Sequence, residues 1–381
     1  MLAEATLARL REHMADSPFD ALVLGVPENV GYATGYRSVA GDIFSSHRMA
    51  AVVTADDVAV AAPAADAGAI SEHPVRLEAY GRFFFEGPDG SHPAVSAADQ
   101  HPDFGSALRA ACSSVSGIVG VDGAVLPGSD AASALPDPDR VADAGAWMAR
   151  VRSVKLPGEV ELLGAAAHLA EKGIEAAIDG AAPGATERDL ARIVASTMTN
   201  GGGMPRFVVV TSGERSALSD SRATERMLRP GDLVRLDVGC TVDGYWSDVG
   251  RTAVVGAPDR LQNDRYAAIL AGEEAQLEVF RAGVTGGHLF DVAVAAVEAG
   301  GIKPYRRHHC GHGIGSSVYE PPSVAPAGAD HVLAAGMVLC LETPYYEIGW
   351  GGMMVEDTLV VTTDGYDLLT HIDRGMRVIP A

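Results

Sequence analysis

The sequence predicts an α+β protein of two domains, a smaller α/β domain over residues 1–153 and a larger one over 154–381. Three observations carry that reading. The chain has 381 residues with 47% apolar side chains, enough for two cores. Short strand and helix patterns are mixed through residue 153. The Lys155-Leu156-Pro157-Gly158 break then opens a region of longer helices and of strands that carry isolated acidic residues.

The elements follow in order. The amphipathic stretch over residues 2–15 predicts a helix, and Ala21-Leu22-Val23-Leu24 a short buried strand. Asn29-Val30-Gly31-Tyr32 reads as a turn. Ala51–Thr54 and Val58–Val60, joined through Asp56-Asp57, read as a hairpin, and Gly117–Gly120 as a further strand. Ser129–Asp139 is too polar and too interrupted to assign. Beyond the break, Leu162, Ala166 and Leu169 recur at helical spacing, and Thr186 with Asp189 forms a capping box ahead of Leu190, Ile193, Val194 and Met198. Phe207–Val210 reads as a strand, and longer helices are expected over 262–282 and 288–299.

Composition excludes several function classes. Fifty acidic against 29 basic residues give a formal charge of −21, which disfavours a phosphate-backbone partner. No apolar run approaches the roughly 20 residues of a membrane span, and the charged opening MLAEATLARLREHM does not resemble a signal peptide. Cys112, Cys240, Cys310 and Cys340 form no zinc-type pairs and read as reduced thiols. A cytoplasmic protein without nucleic-acid or membrane partners is expected.

Five candidate ligands punctuate the second half: Asp237, Asp248, His312, Glu342 and Glu356. Leu233–Gly239 has strand character, Asp243-Gly244 is a hairpin turn, and Tyr245–Asp248 starts the return strand. A two-residue loop places Asp237 opposite Gly250, so that Asp248 shares its face as a diagonal neighbour. Two carboxylates on one face repel unless protonated or neutralised by cations. His312 lies between glycines in Gly311–Gly315, which permits close backbone approach. Glu342 and Glu356 adjoin apolar strand runs, where an unpartnered glutamate is costly. Four carboxylates and one histidine suit two divalent ions, with manganese or cobalt fitting well and zinc or iron open. Such ions activate water and polarise a carbonyl.

These segments resemble the creatinase, prolidase and methionine-aminopeptidase superfamily. The resemblance rests on Asn29–Gly35, Ser212–Leu218, Gly231–Asp237, Ser247–Thr252, Gly311–Gly315 and Glu356-Asp357-Thr358. It implies a pita-bread catalytic domain behind a creatinase-like amino-terminal domain, and a homodimer. It implies that Asp237 belongs mainly to one metal, that Asp248 and Glu356 bridge, and that His312 and Glu342 hold the second. Glu342 is then the proton-transfer candidate, with His308 supporting the intermediate or substrate. Three positions depart from the family pattern. Ser219-Asp220-Ser221 and Tyr319 stand where histidines are usual, and Met354 where arginine is common. Asp220, Tyr319 and Met354 are therefore substrate-pocket candidates, joined by an aromatic wall of Tyr245, Trp246, Tyr345, Tyr346 and Trp350. The resemblance implies cleavage of an Xaa-Pro bond in a short peptide. The altered positions keep a small-molecule amide or other C–N hydrolase in play, with a lyase or a non-catalytic binding protein behind it.

Overall fold

Period-two alternation of apolar side chains builds the amino-terminal unit, Met1–Val151, around a six-stranded sheet. The structure is a computed structural model that describes residues 2–83, 85, 100–125, 133–135, 137–182, 184–326 and 330–381. The strands are β1 (Ala21–Leu24), β2 (Ala50–Val53), β3 (Val58–Pro63), β4 (Arg76–Tyr80), β5 (Val119–Val121) and β6 (Val141–Asp143), in the order β4-β3-β2-β1-β5-β6. Helices α1 (Leu2–Ala15), α2 (Pro27–Thr34), α3 (Val39–Ile43), α4 (Ala67–Ile70), α5 (Phe104–Ala111) and α6 (Gly145–Ser153) accompany them. Leu22 and Leu24 enter one core with Leu10, Met14 and Met148, whereas Ala21 and Val23 enter the other with Phe104 and Leu108.

The expected hairpin forms, with Val53 opposite Val58. Two expectations need correction. Asn29–Tyr32 is not a turn but the middle of α2, which Pro27 opens and Gly35 (φ 75°) closes by donating its N–H to Gly31 O. The strand expected at Gly117–Gly120 begins later, at Val119, because Gly117 (φ 82°) turns the chain and the Asp20 carboxylate accepts the Ile118 N–H. Of Ser129–Asp139, residues 129–132 and 136 lie outside the described residues.

The second unit, Arg152–Ala381, opens on α7 (Pro157–Asp179) and α8 (Glu187–Asn200). Thr186 and Asp189 do form the capping box of α8, and Leu190, Val194 and Met198 are buried. Then come β7 (Met204–Ser212), β8 (Leu233–Val242), β9 (Tyr245–Trp246), β10 (Val249–Val255), α9 (Arg260–Val279) and α10 (Gly286–Ala299). Strands β11 (Gly311–Gly313), β12 (Glu320–Ser323), β13 (Val338–Glu342), β14 (Tyr345–Glu347), β15 (Gly351–Met353), β16 (Glu356–Val361), β17 (Tyr366–Leu368) and β18 (Arg377–Ile379) complete it. The main sheet runs β12-β11-β13-β16-β10-β8-β7. On β8, Val234, Leu236, Val238 and Cys240 join the core formed with α7 and α8. On β13 and β16, Leu339, Leu341, Leu359 and Val361 join the core formed with α9 and α10. Both cores lie on helix-covered faces, so Arg235, Asp237, Glu342 and Glu356 alternate away from them.

A buried ion triad ties the start of this unit to β12. Glu320 receives the Arg152 guanidinium and the Lys155 ammonium (Nζ–Oε2 3.0 Å), with Ser317 N–H at 3.0 Å. Burial opposes ionisation of Glu320, but Lys155 and Arg152 outweigh it and hold the carboxyl at about 2. We expect Glu320→Ala to destabilise the protein by about 3–5 kcal/mol in denaturant unfolding, since it strands two buried cations. The folded carboxyl is depressed, so its contribution is complete above the ordinary value of 4.5 and is lost as pH falls toward about 2.

Candidate metal centre

The β8–β10 hairpin has the expected register: Asp237 pairs with Gly250, and Gly250 on its other side pairs with Glu356. Asp243 (φ 47°) and Gly244 (φ 80°) make the two-residue turn that sets it. Glu356 in turn faces Glu342 on β13. The register thus lays Asp237, Glu356 and Glu342 in one row across β8, β16 and β13, with Asp248 beside it. A side chain at Gly250 would strike Met354, 2.6 Å from the Cβ position, so glycine keeps that rung open. His312 sits on β11, where a Cβ at Gly313 would meet Pro321 O at 2.5 Å. Its flanking glycines do allow close backbone approach.

Two groups of donors converge. Asp237, Asp248 and Glu356 place their oxygens within 4.8 Å of one another, and His312, Cys340 and Glu356 form a second such group. Cys340 was not among the expected ligands. Burial, with the charges of Glu356 and Asp248, pushes its thiol well above its usual range, so it is present as the neutral thiol. Glu342 stands opposite Glu356 but turns one oxygen to His309, with Nδ1–Oε1 at 2.9 Å.

The electrostatics are those of a crowded anionic site. Burial, reinforced by Asp248, raises the Asp237 carboxyl to about 7 against the pull of Arg235. Burial and the neighbouring carboxylates raise Glu356 well above its ordinary value, and burial raises Asp248 despite His312. Glu342 goes the other way: burial opposes it, but the hydrogen bond and charge of His309, with Arg307 and His312, hold its carboxyl low. Among the described residues Glu356 Oε1 is buried without a hydrogen-bond partner, and His312 Nε2 is buried with only Asp248 Oδ2 near it, at 3.6 Å and beyond hydrogen-bond distance. Buried polar atoms rarely go unpaired. The orphaned nitrogen and oxygen, amid carboxylates that crowding drives toward protonation, fit divalent cations.

The remaining expected residues separate. Asp220 and Tyr319 line, with Asp237, Asp248, Phe207 and Val318, a cavity of ≈ 690 Å³. Tyr319 stacks on His312 with ring centroids 4.0 Å apart. Met354 is buried, with Sδ 3.8 Å from Arg235 Nη1. His308 is exposed, and the imidazole that meets Glu342 is that of His309. Tyr345 and Trp350 are not at the carboxylate cluster. Arg265 lies over both rings, and Tyr345 Oη donates to Glu347. Tyr245 donates to Glu159, and Trp246 lies under Arg206. Of the aromatic wall, Tyr346 is the ring flanked by Arg235 and Arg307.

Sequence reasoning missed Arg235. It is fully buried and its Nη1 lies 2.8 Å from Asp237 Oδ2. The signal was present: an arginine inside the apolar run Leu233-Val234-Arg235-Leu236 needs a buried acid. Arg307 and His309 were hidden in the Arg306–Cys310 run, whose directions no periodicity specifies.

A family model for metallopeptidase family M24 matches residues 161–363, and one for the Creatinase/Prolidase N-terminal domain matches residues 7–154. The chain belongs to metallopeptidase family M24. It is 34% identical over 228 residues to the Xaa-Pro dipeptidase of Pyrococcus furiosus, a match covering 59% of this chain and 65% of that protein, less than two thirds of its length. It is 33% identical over 258 residues to the probable dipeptidase PepE of Mycobacterium tuberculosis, covering 67% of each. The dipeptidase PepE structure from Mycobacterium ulcerans superposes with a TM-score of 0.82 at 23% identity, covering 100% of this chain and 98% of that one. The X-Pro aminopeptidase structure from Thermotoga maritima gives 0.83 at 21% identity, covering 98% and 99%. These likenesses establish the fold: a creatinase-like amino-terminal unit and a pita-bread unit.

The raised Asp237 carboxyl sets a pH dependence. Its proton must leave before a cation binds, and so must those that burial favours on Asp248 and Glu356, so manganese affinity should rise with pH, by about tenfold or more per unit below about 7. Titration calorimetry at several pH values checks this, and Asp237→Asn should make the dependence shallower without abolishing it.

Proposed function

We propose that this M24 protein is a dinuclear metal-dependent hydrolase that cleaves the Xaa-Pro bond of short peptides. The observation that carries the reading is the convergence of Asp237, Asp248 and Glu356 with His312, whose buried Nε2 faces Asp248 at 3.6 Å without a hydrogen bond, beside the cavity. Asp237, Asp248 and Glu356 would hold one ion, and His312 and Glu342 would complete the second with the bridging pair. Manganese or cobalt suits this oxygen-rich set, with zinc or iron as alternatives. When bound, such ions supply Lewis acidity to a carbonyl and acidify water.

The chain's own groups do the rest. His309 and Arg307 keep Glu342 ionised, which prepares it to take a proton from water and return it to the leaving nitrogen. Tyr319 covers the His312 ring and limits water on that side. Phe207, Val209 and Val318 give the cavity an apolar wall that suits a proline ring. The reading includes a cytoplasmic homodimer; no described helix is long and apolar enough to cross a membrane.

A specific observation favours a second reading, a small organic amide as substrate. The guanidinium near Met354 is that of Arg235, whose donors are taken by Ser216 O, Leu218 O, Ser219 O and Asp237. It therefore offers no fork to a substrate at the place where arginine is common. Asp220 likewise presents an acid to the cavity in place of an imidazole.

Manganese- or cobalt-loaded protein should release proline from Xaa-Pro dipeptides, and Asp248→Ala should abolish release. Folded, metal-loaded protein that cleaves no member of the panel would pass the assignment to the amide reading. Glu342→Gln should lower kcat/KM by about 10²–10⁴. Removing His309 lets the Glu342 carboxyl rise, so His309→Ala should move the acid limb of the kcat/KM profile to higher pH, whereas His308→Ala leaves it in place.

A further inference from the structure

The register that lays Asp237, Glu356 and Glu342 in one row builds a second row beside it. His312 on β11 pairs with Cys340 on β13, and Cys340 pairs with Thr358 on β16. Thr358 Oγ1 donates to Asp248 O at 3.2 Å, so Asp248 closes the row at its far end. Cys340 therefore stands in the middle of the second row, on the face of the acids. Its neighbours Leu339 and Leu341 turn the other way, into the helix-covered core. The remaining cysteines are placed differently: Cys112, Cys240 and Cys310 each belong to an apolar core.

The two donor groups of the site differ in kind. Asp237, Asp248 and Glu356 offer oxygen alone, whereas His312, Cys340 and Glu356 offer nitrogen, sulfur and oxygen within 4.8 Å of one another. Donors to one ion lie about 2.0–2.3 Å from it, hence roughly 3.5–4.4 Å apart, so a contraction of about 1 Å gathers the three. Two of them are short of partners. Glu356 Oε1 is buried without a hydrogen bond among the described residues, and the buried His312 Nε2 has Asp248 Oδ2 at 3.6 Å. The sulfur makes weak contacts, 3.5 Å from Thr358 Oγ1 and 3.7 Å from Asp248 O. Glu342, by contrast, has one oxygen engaged by His309 at 2.9 Å.

We infer that Cys340 is a sulfur ligand to the ion on the His312 side, and that the centre is built for two unlike ions. The inference rests on the hydrolase reading and deepens it. Oxygen-only donors favour a hard ion such as manganese, while a set with imidazole and thiolate favours a softer one such as zinc, cobalt or ferrous iron. Binding exchanges the thiol proton for the ion: the S–H bond breaks, the sulfur keeps the electron pair and shares it with the ion, and the proton leaves to solvent. In this scheme Glu356 serves both ions, Cys340 selects the second, and Glu342, held by His309, keeps its part in proton transfer.

Cobalt reports the bond without turnover, because thiolate ligation adds a strong charge-transfer absorption that oxygen and nitrogen donors do not give. Metal-free protein is titrated with cobalt(II), with bound metal measured at each step. The absorption should grow with the cobalt that occupies the His312 side. Cys340→Thr should abolish it, while Cys112→Ser, Cys240→Ser and Cys310→Ser keep it. Cys340→Thr should also weaken zinc binding by at least about 10–100-fold, the scale of losing a supporting group at a metal site, and leave manganese binding at the oxygen position unchanged. Two cobalt ions per chain without the absorption would overturn the sulfur ligand and leave the dinuclear reading standing. An absorption that survives Cys340→Thr would overturn it as well. Should Cys340→Thr not fold, persistence of the absorption through the three serine variants assigns it to Cys340 by elimination, and its loss in one of them overturns the assignment. Protein that binds no cobalt sinks the hydrolase reading together with the inference.

Discussion

Everything in the second unit answers to one electrostatic constraint: Asp237, Asp248, Glu342 and Glu356 share one face of a sheet. Buried carboxylates at this spacing cannot all ionise without cations. The opposite face makes the arrangement affordable. Val234, Leu236, Leu339, Leu341 and Leu359 alternate with the acidic row and sit in helix-covered cores, each contributing about 1.5–3 kcal/mol on burial. Strand alternation thus couples the most stabilising residues of the unit to its most costly ones.

Cations answer the acids on both sides of β16. Asp357 follows Glu356 and so points away from the cluster, where Arg251 (Nη2–Oδ1 2.5 Å) and Arg374 hold it ionised. That network anchors the strand from behind. On the cluster side Arg235 pairs with Asp237, while His309 and Arg307 attend Glu342. The consequence is a division of proton affinity within one pocket. Asp237, Asp248 and Glu356 are pushed up by burial and mutual repulsion, and Glu342 is held down by its imidazole and guanidinium neighbours. Pairs of groups driven apart in this way are what acid–base work requires.

Much of this was legible beforehand, for local reasons. Asp243-Gly244 specifies a two-residue turn, and that turn alone determines that Asp237 faces Gly250. Thr186 and Asp189 announce the start of α8 because a capping box is contained within four residues. The glycines beside His312 signal backbone crowding, and a Cβ at Gly313 or Gly311 would indeed collide with Pro321 O or Cys340 O. Where the reading failed, the deciding force was not local. Asn29 looks like a turn residue, but its side chain donates to Asp122, far along the chain, inside a helix that Pro27 and Gly35 delimit. Tyr345 and Trp350 follow Glu342 closely in sequence, yet Arg265 of α9 draws them into a separate stack.

The sequence by itself determined the two-unit α+β plan, the spacing of the five acidic and histidine positions, and the hairpin register that brings Asp237 toward Asp248. Those features depend on periodicity and turn chemistry, which act over a few residues. Only the tertiary structure decided that His309 meets Glu342, that Arg235 neutralises Asp237, that Cys340 lies against His312 and Glu356, and that Arg307 comes within 3.8 Å of Glu342. The physical reason is that side-chain direction in irregular segments, and pairing between strands distant in sequence, follow from packing of the whole unit. No local pattern encodes them.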